Sequence, residues 1–175
     1  MSEALARIGA EVTGLDACQD NIEAARVHTE NDDSLHSLKY ICGTIEEHCD
    51  EVTDQYDAVV ASEVIEHVDN QELFVSKCSA LVKESGSVFM TTISQTQLSW
   101  LTAIIGAEYV IGLLPRGTHD WNKFITPANL SSMLQTNNCR THLVHGMLYN
   151  PVSNSWMWVG NNSVNYALQA VKTSN

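Results

Sequence analysis

Two carboxylates and an imidazole follow a short apolar segment, residues 56–61. They are Glu63, Glu66 and His67, and their spacing puts all three on one face if they lie on a helix. Oxygen and nitrogen ligands of this kind suit Mg²⁺, Mn²⁺ or Zn²⁺, and three protein ligands leave positions open for a substrate. The triplet therefore predicts either a divalent-metal site or, more simply, a solvated helix face.

Asp16 is a second candidate, because it follows the apolar segment 11–15 and precedes a helical pattern at 19–29. Nucleotide-binding α/β sheets hold ribose hydroxyls with an acid at this position. The same position also suits an N-cap of the helix that follows. Both interpretations stay open.

The segment from Leu98 to Pro115 is almost entirely apolar and carries one charge, Glu108. It is shorter than the roughly 20 residues that a membrane span needs. It is therefore either a buried core helix over 98–114 or an apolar cover that contacts a lipid-like substrate or a bilayer surface. Residues 115–124 then gather His119 with other polar residues, either to close an active site or as a surface turn.

These residues need elements to position them, and the hydrophobic pattern predicts strands alternating with helices. The predicted strands are 11–15, 38–42, 56–61, 87–93, 139–149 and 163–171. The predicted helices are 2–8, 19–29, 44–50, 70–82, 98–114 and 127–134, besides a helical turn that carries the triplet. Loops are predicted at 31–37, 83–86 and 150–162. Such alternation implies βαβ units and a mainly parallel sheet.

Two local details accompany these elements. Thr44 and Glu47 have the spacing of a capping box at the start of a helix. The predicted inner face of helix 70–82 consists of Leu73, Phe74, Cys78 and Leu81.

Composition excludes some classes of protein. The 175 residues suffice for one domain with a core, and 44% of them are hydrophobic. With 21 acidic and 9 basic residues the net charge is −12, which argues against nucleic acid as a partner. Five cysteines without a CxxC pair favour reduced thiols inside a cell. The first residues lack the apolar stretch of a signal peptide.

Several segments together resemble one family, the O-methyltransferases of ubiquinone (coenzyme Q) biosynthesis. They are VTGLD, YDAVVASEVIEHV, LPRGTHDW and GMLYNP, within a resemblance from about Leu5 to Lys172. The resemblance implies a Rossmann-like class I α/β sheet, mostly parallel with a late antiparallel strand. It also implies S-adenosylmethionine (SAM) as cofactor and polyprenylated catechols, polyprenyl-dihydroxybenzoate and demethylubiquinol, as substrates methylated on a phenolic hydroxyl.

The resemblance also assigns site residues. Asp16 matches the ribose-binding acid and Ser62 a cofactor contact, while Glu63, Glu66 and His67 match the ligands of a divalent metal, foremost Mg²⁺. A cation on the catechol oxygens would favour the phenolate.

The rest of the resemblance concerns lipid and location. The segment 98–114, within an insertion at 98–124, matches the part that meets inner-membrane lipid and the polyprenyl tail. His119 is proposed as the proton acceptor on chemical grounds alone. The family implies a peripheral protein on the matrix side of the mitochondrial inner membrane, with other ubiquinone-biosynthesis proteins as partners. The alternatives are a non-catalytic subunit of that pathway and a SAM methyltransferase with a small soluble substrate.

The family begins with a helical region, a first strand and a DxGxGxG loop that this sequence does not contain. In the family's strand order, 3-2-1-4-5-7-6, the first strand is central. We therefore expect residues 1–175 to form a single but incomplete, N-terminally truncated methyltransferase domain that binds SAM weakly or not at all and folds poorly. Strands 11–15 and 56–61 should then carry unpaired edges.

Overall fold

The computed structural model describes residues 1–30, 32–52, 55–95, 123–150 and 153–174. Within them the chain divides into two compact units, residues 1–52 and 53–175. The predicted helix 98–114 and His119 lie outside the described residues. None of the helices in the described ranges combines the length and apolar character that crossing a membrane requires.

The first unit contains a two-stranded parallel sheet with helices before and after its strands. Its elements are α1 (Ser2–Arg7), β1 (Val12–Asp16), α2 (Gln19–Thr29), β2 (Leu38–Cys42) and α3 (Ile45–Glu51). The strands pair in parallel from Val12 opposite Leu38 to Asp16 opposite Cys42. All five elements match predicted ones, and the predicted loop 31–37 contains a short 3₁₀ turn, Asp33–Leu35.

Local signals fix the ends of these helices. The Thr44 side chain accepts a hydrogen bond from the Glu47 backbone N–H at 3.3 Å, and the Glu47 carboxylate accepts one from the Thr44 backbone N–H at 2.8 Å. This is the predicted capping box of α3. Gly9 follows α1 with a φ of 96°, a conformation that costs glycine little and ends the helix.

The described residues of the second unit form a mixed sheet of five strands and two helices. Its elements are β3 (Tyr56–Ser62), α4 (Gln71–Ala80), β4 (Val82–Ile93), α5 (Pro127–Thr136), β5 (Cys139–Asn150), β6 (Ser155–Val159) and β7 (Asn165–Lys172). The strand order is β3-β4-β7-β5-β6. Strands β3 and β4 are parallel, whereas the other neighbours are antiparallel.

This order reproduces the expected one where the described strands allow a comparison. The first four strands correspond to 4-5-7-6 of the family order, and β1 and β2 to strands 2 and 3. Among the described strands, β1 pairs only with β2, and β3 pairs only with β4. The predicted loop 150–162 is wrong in part, because its aromatic residues form β6 at the sheet edge.

The core of the second unit lies on one face of its sheet. Val88, Met90 and Leu168 are fully buried there, whereas Phe89, between two of them in sequence, is 37% exposed. The helices α4 and α5 contribute buried side chains, namely Phe74, Val75, Cys78, Leu130 and Leu134. The inward prediction for Leu73 is wrong: it is 41% exposed, because the buried face of α4 is centred on Val75 and Cys78.

The predicted turn 83–86 is an irregularity within β4, which begins at Val82. The pairing with β3 slips between Tyr56 and Ala58, and Ser85 has a φ of 64°. A Cβ on Gly86 would lie 2.8 Å from the Asp57 carbonyl oxygen, so glycine is required there. Strand β4 therefore starts five residues earlier than predicted, because a β-bulge accommodates the polar residues 83–86 within the strand.

Candidate active site

Asp16 ends β1 and holds the turn that leads into α2. One carboxylate oxygen accepts a hydrogen bond from the Cys18 backbone N–H at 2.8 Å, and the other accepts one from the Asn21 side-chain amide at 3.1 Å. Cys18 is the N-cap of α2, so the N-cap prediction for Asp16 is wrong by two residues. A carboxylate has about four lone-pair positions, so two remain for a ligand. The residue is half-buried at the carboxyl end of a parallel strand.

Ser62 ends β3 and is held by the neighbouring strand. Its hydroxyl lies 3.2 Å from the Thr91 hydroxyl, and the two residues are partners in the β3–β4 pairing. The next backbone N–H, that of Glu63, donates to the Thr91 carbonyl oxygen at 3.0 Å. The end of β4 thus fixes the point at which the chain leaves β3.

The predicted helical turn after β3 is wrong. Glu63 has a φ of 53°, which is uncommon for a residue other than glycine and does not belong to a right-handed helix. The His67 N–H donates to the Val64 carbonyl oxygen at 2.9 Å, which closes a tight turn. Contacts to β4 and this turn replace the helix, so the three predicted ligands do not share a helix face.

Burial separates the three predicted metal ligands. Glu66 is 4% exposed, and its carboxylate accepts a hydrogen bond from the Thr92 hydroxyl at 2.8 Å. Glu63 and His67 are exposed. Over the described parts of the chain, no three His, Cys, Asp or Glu side chains are grouped so as to hold a metal ion. The donor set is chemically suitable, but it does not fit a preformed three-ligand site.

Tyr166 on β7 lies in the field of these carboxylates. It is fully buried, and its hydroxyl donates to the Ile125 carbonyl oxygen at 3.0 Å. Burial raises the pKa of Tyr166 far above its usual range, and the negative charges of Glu66 and Glu63 raise it further. The phenol therefore stays protonated and serves as a hydrogen-bond donor.

The far end of the segment after β3 is fixed as well. The Gln71 side-chain amide donates to the carbonyl oxygens of Ile65 at 3.2 Å and Lys123 at 2.6 Å. The Lys123 ammonium lies 2.8 Å from the Asp69 carboxylate and lowers the pKa of that carboxyl group. An open cleft of about 380 Å³ borders residues 68–72 on this side.

Sequence reasoning missed Thr91, Thr92 and Tyr166 as supports of the site. A signal existed for the two threonines, since polar residues at the carboxyl end of a predicted buried strand face the ligand edge of an α/β sheet. No comparable signal marked Tyr166, because its contact depends on the antiparallel placement of β7 between β4 and β5.

Comparison with known proteins gives the family. A family model described as "Methyltransferase domain" matches residues 1–90. The mitochondrial ubiquinone biosynthesis O-methyltransferase of Rattus norvegicus is 43% identical over 173 residues, which are 98% of this chain and 50% of the relative. The ubiquinone biosynthesis O-methyltransferase of Proteus mirabilis is 39% identical over 178 residues, covering 100% of this chain and 71% of the relative. The chain spans about half the length of the mammalian relatives it matches.

Solved structures agree on the fold. The magnesium protoporphyrin IX methyltransferase of Synechocystis PCC 6803, solved with bound SAH, superposes with a TM-score of 0.67 at 19% identity. The match covers 98% of this chain and 68% of that one. The predicted class I SAM methyltransferase fold is thus confirmed. With the identity and coverage of the bacterial relative, these findings show that the chain belongs to the ubiquinone biosynthesis O-methyltransferase family.

Proposed function

We propose that this protein transfers a methyl group from SAM to a phenolic hydroxyl of a polyprenylated catechol in ubiquinone biosynthesis. The observation that carries the proposal is the 39% identity to the Proteus mirabilis enzyme along the whole chain. The strand order of the second unit supports it, because β3, β4, β7 and β5 follow the expected methyltransferase order.

Asp16 is the proposed ribose ligand. Its carboxylate keeps two lone-pair positions beyond its bonds to the α2 turn, and these would accept the ribose hydroxyls. Ser62, at the end of β3, is the proposed second contact. SAM supplies an electrophilic methyl group when bound. The chain's own task is then to hold the cofactor and present the catechol oxygen to it.

The catechol must lose a proton, because a phenol with a pKa near 10 is a poor nucleophile at neutral pH. His119 is the proposed proton acceptor, and a rate unchanged in His119→Ala would remove it. A divalent cation at Glu63, Glu66 and His67 stays a prediction from the family. We assign no step to it, since Glu66 is buried against Thr92 while the other two are exposed. Full turnover in excess EDTA would remove the cation from the proposal.

Location and lipid contact belong to the same proposal. The eukaryotic relatives are named as mitochondrial, which supports a mitochondrial protein. We place it on the matrix side of the inner membrane, peripherally, with the segment 98–114 toward lipid and the polyprenyl tail. Other ubiquinone-biosynthesis proteins are the proposed partners.

A pair of variants tests the cofactor site. Asp16→Ala removes both the turn contacts and the proposed ribose ligand, whereas Asn21→Ala removes only one turn contact. We expect SAM binding, measured by calorimetry, to be lost in Asp16→Ala and retained in Asn21→Ala. Mass spectrometry of a polyprenyl catechol incubated with SAM and the unchanged protein should show one added methyl group. Equal SAM affinity in both variants, or no methylated product, would contradict the proposal.

A further inference from the structure

The hairpin of β5 and β6 exposes aromatic side chains at the edge of the five-stranded sheet. We call residues 145–150 and 153–159 the aromatic hairpin. Trp156 is 56% exposed and Trp158 is 69% exposed. The Tyr149 and Trp156 rings, on paired residues, have centroids 5.3 Å apart, and those of His145 and Trp158 are 6.2 Å apart. The rings therefore form two contacting pairs on one face of the hairpin.

The opposite face of the hairpin is apolar as well. Leu148 and Met157 are a pair in the β5–β6 register, and they are 46% and 43% exposed. A flat protein surface covers only one face of a two-stranded ribbon. Apolar side chains on both faces are better accommodated by a medium that surrounds the ribbon, such as the interfacial layer of a bilayer.

The charge distribution along the chain favours the same partner. All 21 acidic residues lie between Glu3 and Asp120, and residues 121–175 contain none. Three of the nine basic residues, Lys123, Arg140 and Lys172, fall within that acid-free part. The chain as a whole is repelled by an anionic lipid surface, but the part that bears the aromatic hairpin is not.

We propose that the aromatic hairpin docks on the interface of a phospholipid bilayer. Tryptophan and tyrosine favour this layer, because their rings are apolar while their N–H and O–H groups still reach water or headgroups. Among the strands that the structure describes, β6 is the outermost of its sheet, so its outer backbone edge needs hydrogen-bonding partners. Headgroups and water supply them at the interface, whereas the hydrocarbon does not. The aromatic hairpin shares no residue with the segment 98–114, and the inference does not rest on methyl transfer.

Sedimentation with vesicles tests the proposal. The vesicles contain phosphatidylcholine with about one-fifth phosphatidylglycerol, so that they carry a negative surface charge. We expect Trp156→Thr with Trp158→Thr to weaken partitioning about tenfold or more, since threonine keeps the strand propensity and removes the rings. The matched control is Ile8→Thr with Val27→Thr, which removes two side chains that are 80% and 66% exposed in the first unit. The control should bind like the unchanged chain.

A charge variant sharpens the test without touching the rings. Ser155→Glu places a carboxylate in the acid-free hairpin beside Trp156, at an exposed position. It should weaken binding to the anionic vesicles more than binding to pure phosphatidylcholine vesicles. Equal losses on both vesicles would overturn the charge argument.

Tryptophan fluorescence tests the same docking without replacing Trp156 or Trp158, so it stays informative if the double tryptophan variant folds poorly. Replacing Trp100 and Trp121 with phenylalanine leaves Trp156 and Trp158 as the tryptophan probes. We expect a blue shift on adding vesicles and quenching by lipids brominated near the headgroup. Sedimentation with vesicles but no quenching would mean docking through another surface and would overturn the proposal. Self-association would overturn the proposal as well. In that case the double tryptophan variant would lose the dimer that the unchanged chain forms, but it would still bind vesicles. SAM calorimetry on the same variants separates this result from the proposed function.

Discussion

The two candidate ligand regions, at the carboxyl ends of β1 and β3, are held in place by different means. Asp16 is bonded to residues two and five positions later in sequence. The segment after β3 is instead fixed from a distance: Thr92, 26 residues later, bonds Glu66, and Lys123, 52 residues later, bonds Gln71. The first region depends on residues close in the chain, whereas the second depends on β4 and on residue 123, which lie far along the chain.

The two units differ in the same sense. The described residues of unit 1–52 have three buried hydrophobic side chains, Ala6, Ile22 and Leu35, with a sheet of two strands. A sheet of two strands is marginally stable without further packing. In the described part of the second unit, the helices α4 and α5 bury side chains against a sheet of five strands. We expect local caps and ion pairs to matter most in the first unit and core packing in the second.

The sharpest test of this difference is a core truncation in the second unit. Leu130 on α5 is fully buried, so Leu130→Ala should lower the free energy of unfolding by about 2–5 kcal/mol. Urea denaturation measures it. The matched control is Leu73→Ala on α4, where the side chain is 41% exposed and the loss should stay below about 1 kcal/mol. Similar losses of unfolding free energy at the two positions would show that core packing does not dominate the stability of the second unit.

Removing the long-range support of the site should have the next largest effect. Thr92→Val deletes the hydroxyl that donates to the buried Glu66 carboxylate. A buried acceptor without its donor costs about 1–3 kcal/mol, so the unfolding midpoint should fall. Limited proteolysis should also show the segment after β3 becoming easier to cleave. Thr92→Ser keeps the hydroxyl and should behave almost like the unchanged chain; a loss equal to that of valine would point to packing instead.

The sequence predicted what local chemistry decides. The bounds of α2 and β2 and the Thr44 capping box are as predicted, because each depends on residues close in the chain. The order of β3, β4, β7 and β5 came from the family resemblance rather than from periodicity.

What failed depended on contacts between distant residues. Glu63 adopts a left-handed backbone while its N–H bonds to Thr91, which hydrophobic spacing does not reveal. The edge strand β6 was missed because its pairing with β5 places apolar residues on both faces, so no alternating pattern marks it. Within the candidate site, the roles of Asp16 and Ser62 stay predictions, and no sequence pattern revealed that Glu66 is buried while His67 is exposed.

The N-cap of α3 tests whether short-range hydrogen bonds stabilise the first unit. Thr44→Ala removes the hydroxyl that accepts from the Glu47 N–H and should cost about 0.5–2 kcal/mol. Hydrogen exchange should speed up in α3, with the amides of α4 unchanged. Thr44→Ser retains the cap and is the control. Faster exchange in α4 as well would mean that the two units open together.

The smallest effect concerns an exposed acid of the first unit. The Asp32 carboxylate accepts hydrogen bonds from the Ser34 hydroxyl and backbone N–H, and from the Arg7 guanidinium at 2.6 Å. The Ser34 hydroxyl lowers the pKa of Asp32 most, Arg7 adds to this, and the pKa becomes about 2. Because the folded chain prefers the ionised form, these bonds stabilise it above the ordinary carboxyl pKa of about 4, and the contribution is lost as the pH falls through about 2.

Carboxyl NMR titration of Asp32 measures this pKa directly. We expect Ser34→Ala to raise it more than Arg7→Gln does, because the hydroxyl bond is the largest single cause of the lowered pKa and the Arg7 guanidinium is screened by solvent. Asp32→Asn should remove the corresponding pH dependence of hydrogen exchange in α1 and the 3₁₀ turn, while exchange in α4 and α5 stays the same. If Arg7→Gln raised the pKa of Asp32 more than Ser34→Ala did, the charge of Arg7 rather than the local hydrogen bonds would stabilise this turn. The first unit would then depend less on short-range hydrogen bonds than the contacts of Asp16 indicate.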